Sequence, residues 1–493
     1  HGFPVLYAGQ VGLGLGANYP HMYHLLCAIP VTAFNHYSDL VGQLMSPMAG
    51  LVATILIYQT VLVIFRSRRA GVLTALLFRS IPLVNVYFTY ATDYSLVMMF
   101  TAALLYSSAC FIRTRHPLWL VVTAVFAASL SNINYLGCIM VPVLLYLAVW
   151  GKAKVENKSS YLRWLAWSVV IYLAIGLPWY FRNLIVTGNP VYAFYPEIFG
   201  GKHIDMDVLK SCFHEWYANG IGVPGDTMGQ RLVNAPMWLA RIWQVSPFVM
   251  GLFIPAVIYL LVGTSLWEKE NRVRREFAPV ALGVAFLGLG YHIIISNLYI
   301  YQVLFMFPAM ALVPAFLMYD LKGTARYWRY STVGIVFAVA LIPGVSMSLM
   351  GPKLMSPDLR AFARPGMNQS SFYLAKLGEY FFVIDFINKE YPNTTLLTHE
   401  NRYHLFSDGI TFRHLDDWDI IPLYKKTDLA EKYQALWDKG IRHYLYIPNE
   451  DNHPILTQLQ IPEMIAAGYL TLMMDSGGCR LYELVPPASP ITP

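Results

Sequence analysis

Few residues in this sequence could do chemistry, and they lie far apart. His21 and His24 are three positions apart beside Tyr19 and Tyr23, so a helix would set both imidazoles on one face. There they could meet a substrate or a metal, or pack against the two tyrosines. Asp93 opens an apolar run. A carboxylate there is costly unless wet, paired or metal-bound, and it could equally be a helix cap stabilised by the helix dipole. Arg182 and Asn183 follow Pro178-Trp179-Tyr180-Phe181 and precede Thr187-Gly188-Asn189-Pro190. A guanidinium there could clamp a phosphate in two-pronged fashion, and Thr-Gly-Asn-Pro is turn chemistry. The alternative is an anchor plus a turn. Arg79 stands alone within an apolar stretch and must face a polar cavity or a partner. His203, Asp205 and Asp207 alternate, near His214 and Glu215, and His414 through Asp419 is a second acidic run. Either set could hold a divalent ion; the plainer reading is a solvated acidic loop.

The elements that must position these groups are mostly membrane helices. Of 493 residues 56% are hydrophobic and only 13% charged, where soluble domains carry about 25% charged residues. Apolar runs near the roughly 20 residues that cross a bilayer are predicted at 41–65, 70–91, 93–112, 117–131, 133–150, 161–181, 246–266, 277–296, 298–319 and 327–350. Aromatics at 15% suit belts at the two interfaces.

Loop charge sets the expected orientation. Arg66, Arg68 and Arg69, then Arg113 and Arg115, then Lys152, Lys154, Lys158 and Arg163, then Lys269 through Arg275, then Lys322, Arg326 and Arg329 fall on alternate turns. The turns between, near 92, 132 and 297, have no Lys or Arg. The first set is therefore expected in the cytoplasm. Residues 1–40 would form an outer loop, 182–245 a long outer loop, 351–369 a linker, and 370–493 an extracytoplasmic α/β domain. In that last domain, 371–390 and 428–439 are predicted helices, the second ended by Gly440. Strands are expected at 396–398, 444–447, 470–474 and 479–484. Residues 370–493 hold 16 acids and 10 bases, leaving 25 bases against 13 acids elsewhere. The net charge of +6 is thus a matter of topology, not of nucleic-acid binding. Of the five cysteines, Cys212 and Cys479 fall on one face and could pair, though two free thiols fit as well, and no CxxC spacing occurs. No internal repeat points to a transporter.

PWYFRNLIVTGNPVYAF, residues 178–194, resembles a segment that follows a mid-protein helix in bacterial GT-C glycosyltransferases, the superfamily of the protein O-mannosyltransferases and the lipid A aminoarabinose transferases. Tyr19 through Leu26 resembles the end of that family's first outer loop, Tyr90-Ala91-Thr92-Asp93 its second acidic position, and the C-terminal domain its periplasmic one. The resemblance implies transfer of a sugar from a polyprenyl phosphate, with inversion, by a carboxylate base and a positive group or metal that stabilises the departing phosphate. It also implies that the main base lies upstream of His1, on a first helix and loop not contained in this sequence. Two positions depart from the pattern: Asn134 stands where relatives carry Lys, and Tyr301-Gln302 where they carry Arg-Tyr.

The expectation is a polytopic α-helical membrane protein of about ten spans, GT-C-like, with a small C-terminal extracytoplasmic α/β domain. It would be a glycosyltransferase of a bacterial inner membrane, using a polyprenyl-phosphate sugar donor and a lipid, glycan or protein acceptor. Asp93 is the expected acid of the cavity. Arg182, Asn183, Tyr19, His21 and His24 are the expected substrate contacts. No residues are assigned to a metal, and the cofactor is left open, a divalent ion being compatible. The rival expectation is an inactive GT-C-like accessory subunit of a membrane complex.

Overall fold

A computed structural model describes residues 26, 28–29, 32, 39–89, 93–133, 135–191, 196–201, 233, 247–262, 272–291, 304–320, 378–398, 406–407, 409–415, 417, 419–447 and 459–486. The chain divides into two compact units. The first holds the described residues up to Phe181 together with 233–320. The second holds residues 182–201 and 378 onward.

Among its described residues the first unit is helical. Its helices are α1 (Asp39–Phe65), α2 (Arg68–Arg79), α3 (Pro82–Thr89), α4 (Asp93–Thr114), α5 (Leu118–Ile133), α6 (Val141–Lys154), α7 (Lys158–Gly176), α8 (Pro178–Thr187), which runs on into the second unit, α9 (Pro247–Val262), α10 (Arg272–Tyr291) and α11 (Phe307–Asp320). Each predicted apolar run that lies within the described residues is helical; 327–350 lies outside them. Among the described residues three helices are long and apolar enough to cross a membrane: Leu44–Phe65, Asp93–Thr114 and Gly137–Lys154. A fourth arises if α7 and α8 count as one span. α4 is buried along most of its length, more than α1, and α11 is likewise buried, so both lie inside this unit.

Three predicted spans are interrupted, each at a residue that cannot continue a helix. The span expected over 70–91 stops at Arg79 and restarts at Pro82. The one over 161–181 bends by 46° between Gly176 and Pro178 and extends to Thr187. The one over 133–150 begins as a 3-10 turn, Tyr135–Met140, before α6. That turn lies tight against the end of α5: a Cβ on Gly137 would fall 1.9 Å from the Ser131 nitrogen. Small residues let other helices close up too, as where Gly50 of α1 meets the ring of Phe88.

The C-terminal part of the second unit is a five-stranded sheet with helices. It contains α12 (Tyr380–Glu390), β1 (Thr395–Thr398), β2 (Thr411–His414), α13 (Leu429–Asp438), β3 (His443–Tyr446), α14 (Ile461–Ala466), β4 (Leu470–Ser476) and β5 (Cys479–Leu484), in the order β2-β1-β3-β5-β4. β1 pairs in parallel with β2 and β3; β5 pairs antiparallel with β3 and β4. On α12 the buried stripe is Tyr380, Val383, Ile384 and Ile387, one face at helical spacing. Phe381, beside that stripe, is half-buried. Asp428 caps α13 by accepting from the Glu431 amide at 2.9 Å, and Gly440 leaves it at φ 78°. Gly477 and Gly478, both at positive φ, make the two-residue turn between β4 and β5. Cys479 is a free thiol; Cys212 lies outside the described residues.

Candidate functional site

The acid expected in the cavity, Asp93, is the first residue of α4 and is half-buried. Its carboxylate therefore sits at the positive end of a helix dipole, where a negative charge is favoured. The surroundings are polar and aromatic. Ser46 of α1 donates to Ser95 at 3.0 Å in a fully buried contact, and Tyr87 and Tyr94 meet edge to face at 5.7 Å. The start of α4 thus carries a carboxylate, with Ser46–Ser95 and Tyr87–Tyr94 as its neighbouring contacts to α1 and α3.

A second polar cluster joins α5, the 3-10 turn, α7 and α8. The Tyr180 hydroxyl donates to the Ser131 carbonyl at 3.2 Å, the Cys138 thiol donates to that hydroxyl at 3.1 Å, and Ser131 Oγ and Tyr172 share a hydrogen bond of 3.0 Å. Sequence reasoning missed this cluster. Its members come from four elements, and no local spacing marks them.

Arg182 and Asn183 lie on α8, beyond the bend that Pro178 makes. Arg182 donates through Nη1 to Asn183 Oδ1 at 2.9 Å. Thr187 donates to the Asn183 carbonyl at 2.8 Å and accepts from the Asn189 amide at 3.2 Å. Asn189 Oδ1 accepts from the Val191 amide at 2.9 Å, and its Nδ2 donates to the Gly200 carbonyl at 3.2 Å. Gly188 takes the left-handed conformation the turn needs, φ 77°. Asn183, Thr187 and Asn189 are fully buried, whereas Arg182 is half-buried. The Thr-Gly-Asn-Pro segment is a self-bonded turn, and of its polar residues Arg182 is the one with a partly exposed head.

Tyr19, His21 and His24 lie outside the described residues, as do Asn134, Tyr301, Gln302, His203, Asp205, Asp207, His214 and Glu215. In the second acidic run, Asp417 accepts from the His414 amide at 2.9 Å, closing a turn, and Asp419 pairs with Arg413 at 3.4 Å and Lys439 at 3.2 Å. Among the described residues no group of three His, Cys, Asp or Glu could hold a metal ion. The C-terminal sheet has one strongly shifted group. His443 on β3 shares a hydrogen bond of 2.6 Å between Nδ1 and Thr394 Oγ1, packs 4.2 Å from the Tyr391 ring, and has a buried Nε2 with no hydrogen-bond partner. Burial pushes its pKa down to about 4.

Residues 18–180 match the family of dolichyl-phosphate-mannose-protein mannosyltransferases. That match covers about a third of the chain and, with the apolar helices, supports an integral membrane protein. No curated protein matches the chain. Among solved structures, the Archaeoglobus fulgidus oligosaccharyltransferase, in complex with Zn and sulfate, is 11% identical. The likeness covers 87% of this chain and 60% of that one, at a TM-score of 0.48, too slight to carry an argument.

Proposed function

We propose that this chain moves a sugar from a polyprenyl-phosphate donor to an acceptor on the extracytoplasmic face of a membrane. The match of residues 18–180 to a family named for a lipid-phosphate sugar donor is the observation that supports it. In this reading 41–350 is the catalytic membrane domain, 1–40 and 182–245 are outer loops, 351–369 is a linker, and 370–493 is an outer domain that helps to bind acceptor. The membrane is the inner membrane of a bacterium. Asp93, at the dipole-favoured start of α4, is the acid that orients acceptor or metal. Arg182 takes the donor phosphate, with Asn183 as the group that aims its guanidinium. Tyr19, His21 and His24 are the further substrate contacts of this reading.

A second reading, an inactive GT-C-like accessory subunit, is favoured by one observation: Asn183, Thr187 and Asn189 are wholly buried in turn structure. The two part in one assay. The protein, purified as its host makes it, is incubated in nanodiscs with a panel of polyprenyl-phosphate sugars and total membrane acceptors, and release of polyprenyl phosphate is followed. We expect turnover with one donor, a loss of about 100-fold for Asp93→Asn, and partial recovery in Asp93→Glu. No turnover with any donor would leave the accessory reading standing.

A further inference from the structure

The span expected over 70–91 is two half-helices with an arginine at the join. Pro82 opens the second piece: proline has no N–H to donate and does not continue a preceding helix. The freed carbonyls are each given a donor. Ser80 Oγ donates to the Leu77 carbonyl at 2.7 Å, the Ile81 amide to that of Phe78 at 3.3 Å, and Asn85 Nδ2 to that of Arg79 at 2.5 Å. A broken helix at membrane depth persists only where such partners exist or where the break lines a polar cavity.

The break is sharp. Phe78 and Phe88, ten positions apart, would lie about 15 Å apart along a straight helix, yet their ring centroids are 6.0 Å apart. α3 therefore folds back toward the end of α2. Phe88, wedged against Gly50, is buried, and the Arg79 guanidinium carbon sits 5.2 Å from its ring centre. Arg79 is only half-buried, and among the described residues it has that ring and no carboxylate partner. It stands eleven positions beyond Arg68 on one helix, about 16 Å of rise. In the proposed topology 70–91 crosses the bilayer, where a lone charge is too costly to keep without an anion or water, and a ring face compensates it only in part.

We propose that Arg79 binds the phosphate of an isoprenoid lipid at the break between α2 and α3. The inference rests on the proposed use of a lipid-linked donor, and it adds a second phosphate contact besides Arg182. The anions that reach a guanidinium from within a bilayer are phosphate esters, whose paired oxygens fit its planar fork. Phe88 supplies the flat surface that holds that fork in one plane, and Asn85 fixes the backbone from which it projects.

Native mass spectrometry of the full chain with undecaprenyl phosphate tests this. Arms with undecaprenol, phosphatidylglycerol and inorganic phosphate separate the chemical sources. The wild type should bind undecaprenyl phosphate at least ten-fold more tightly than undecaprenol. Arg79→Met, which keeps the length and the contact with Phe88, should bind the two alike, and Arg79→Lys should fall between. Should Arg79→Met fail to stay monodisperse, Arg79→Gln and Arg79→Lys carry the same comparison. Equal binding by wild type and variant overturns the proposal, as does displacement by inorganic phosphate or by phosphatidylglycerol at matched concentration. Arg79-dependent binding without sugar transfer would defeat the enzyme reading alone. Transfer at the wild-type rate by Arg79→Met would defeat the Arg79 proposal alone.

Discussion

Protonation of His443 should loosen the C-terminal sheet between pH 6.5 and 4. The ring is 4% exposed; its one hydrogen bond is to Thr394, and its Nε2 faces no acceptor. A proton added there would be a buried charge with an unmet donor. Glu483 of β5 is its register partner, and Tyr391 lies against it. The folded-state pKa is about 4 against an ordinary value of 6.5. Because the folded value is the lower one, the unfolded chain binds more protons in that window. The stability from a neutral His443 is therefore fully present above about pH 6.5 and lost as pH falls toward 4. The two values lie about 2.5 pH units apart, which is about 3 kcal/mol, or about 300-fold in equilibrium constant. Hydrogen exchange by mass spectrometry on the full chain, read at peptides covering 394–398 and 443–446, measures this. The pH dependence of His443→Asn is subtracted, which removes both the intrinsic pH dependence of exchange and the other titrating groups. Protection in the wild type should fall by about 70-fold more than in the variant between pH 7.5 and 4.5. Parallel profiles, within three-fold, would show that His443 is hydrated or paired in the folded state and would refute the argument.

Gly137→Ala should abolish monodisperse protein in size-exclusion chromatography. Its Cβ would meet the backbone of Ser131 at 1.9 Å and of Leu130 at 2.1 Å, whereas Gly283→Ala, with nothing within 4 Å, should leave the profile unchanged. Arg442 lies with its guanidinium carbon 3.8 Å from the Trp437 ring centre and donates to the carbonyls of Trp437 and Ile441, closing the end of α13. Arg442→Ala should cost about 2 kcal/mol, one from the ring contact and one from the bonded carbonyls. Arg442→Lys should recover about half, read as protection of peptides in 429–446.

What the sequence disclosed and what it hid divide along local against distant causes. The turn at Gly477-Gly478, the Asp428 cap and the Gly440 stop are local, and the elements they bound were legible. β2 was not. Thr411-Phe412-Arg413-His414 has one large apolar residue in four, and it is a strand because β1 offers a parallel edge. The break before Pro82 was visible as a proline but was outweighed by the apolar run around it. For the candidate site, Thr187 to Pro190 was legible as turn chemistry, while the reach of Asn189 into the backbone around it needed the structure. The contacts of Tyr180 and Tyr172 with Ser131 and Cys138 join distant segments, and nothing in their spacing foretells them.

Several polar contacts of the first unit and of α8 lie where helices are interrupted, and they share one physical cause. An unbroken helix satisfies its own backbone and offers an apolar medium only side chains. A break releases carbonyls and amides that must be met by hydroxyls, amides or cations close by. At Pro82 those are Ser80 and Asn85, with Arg79 beside them. At the end of α5, the Ser131 carbonyl is met by Tyr180. Beyond Pro178, Thr187 meets the Asn183 carbonyl, and Asn183 in turn holds Arg182. Two of these interruptions are marked in the sequence by Pro within an apolar run: Pro82 and Pro178. A cation placed at such a point is already surrounded by the polarity that a charged ligand needs. That is why a search for lipid-phosphate contacts in this chain begins at Arg79 and Arg182, and not at the basic residues that flank the spans.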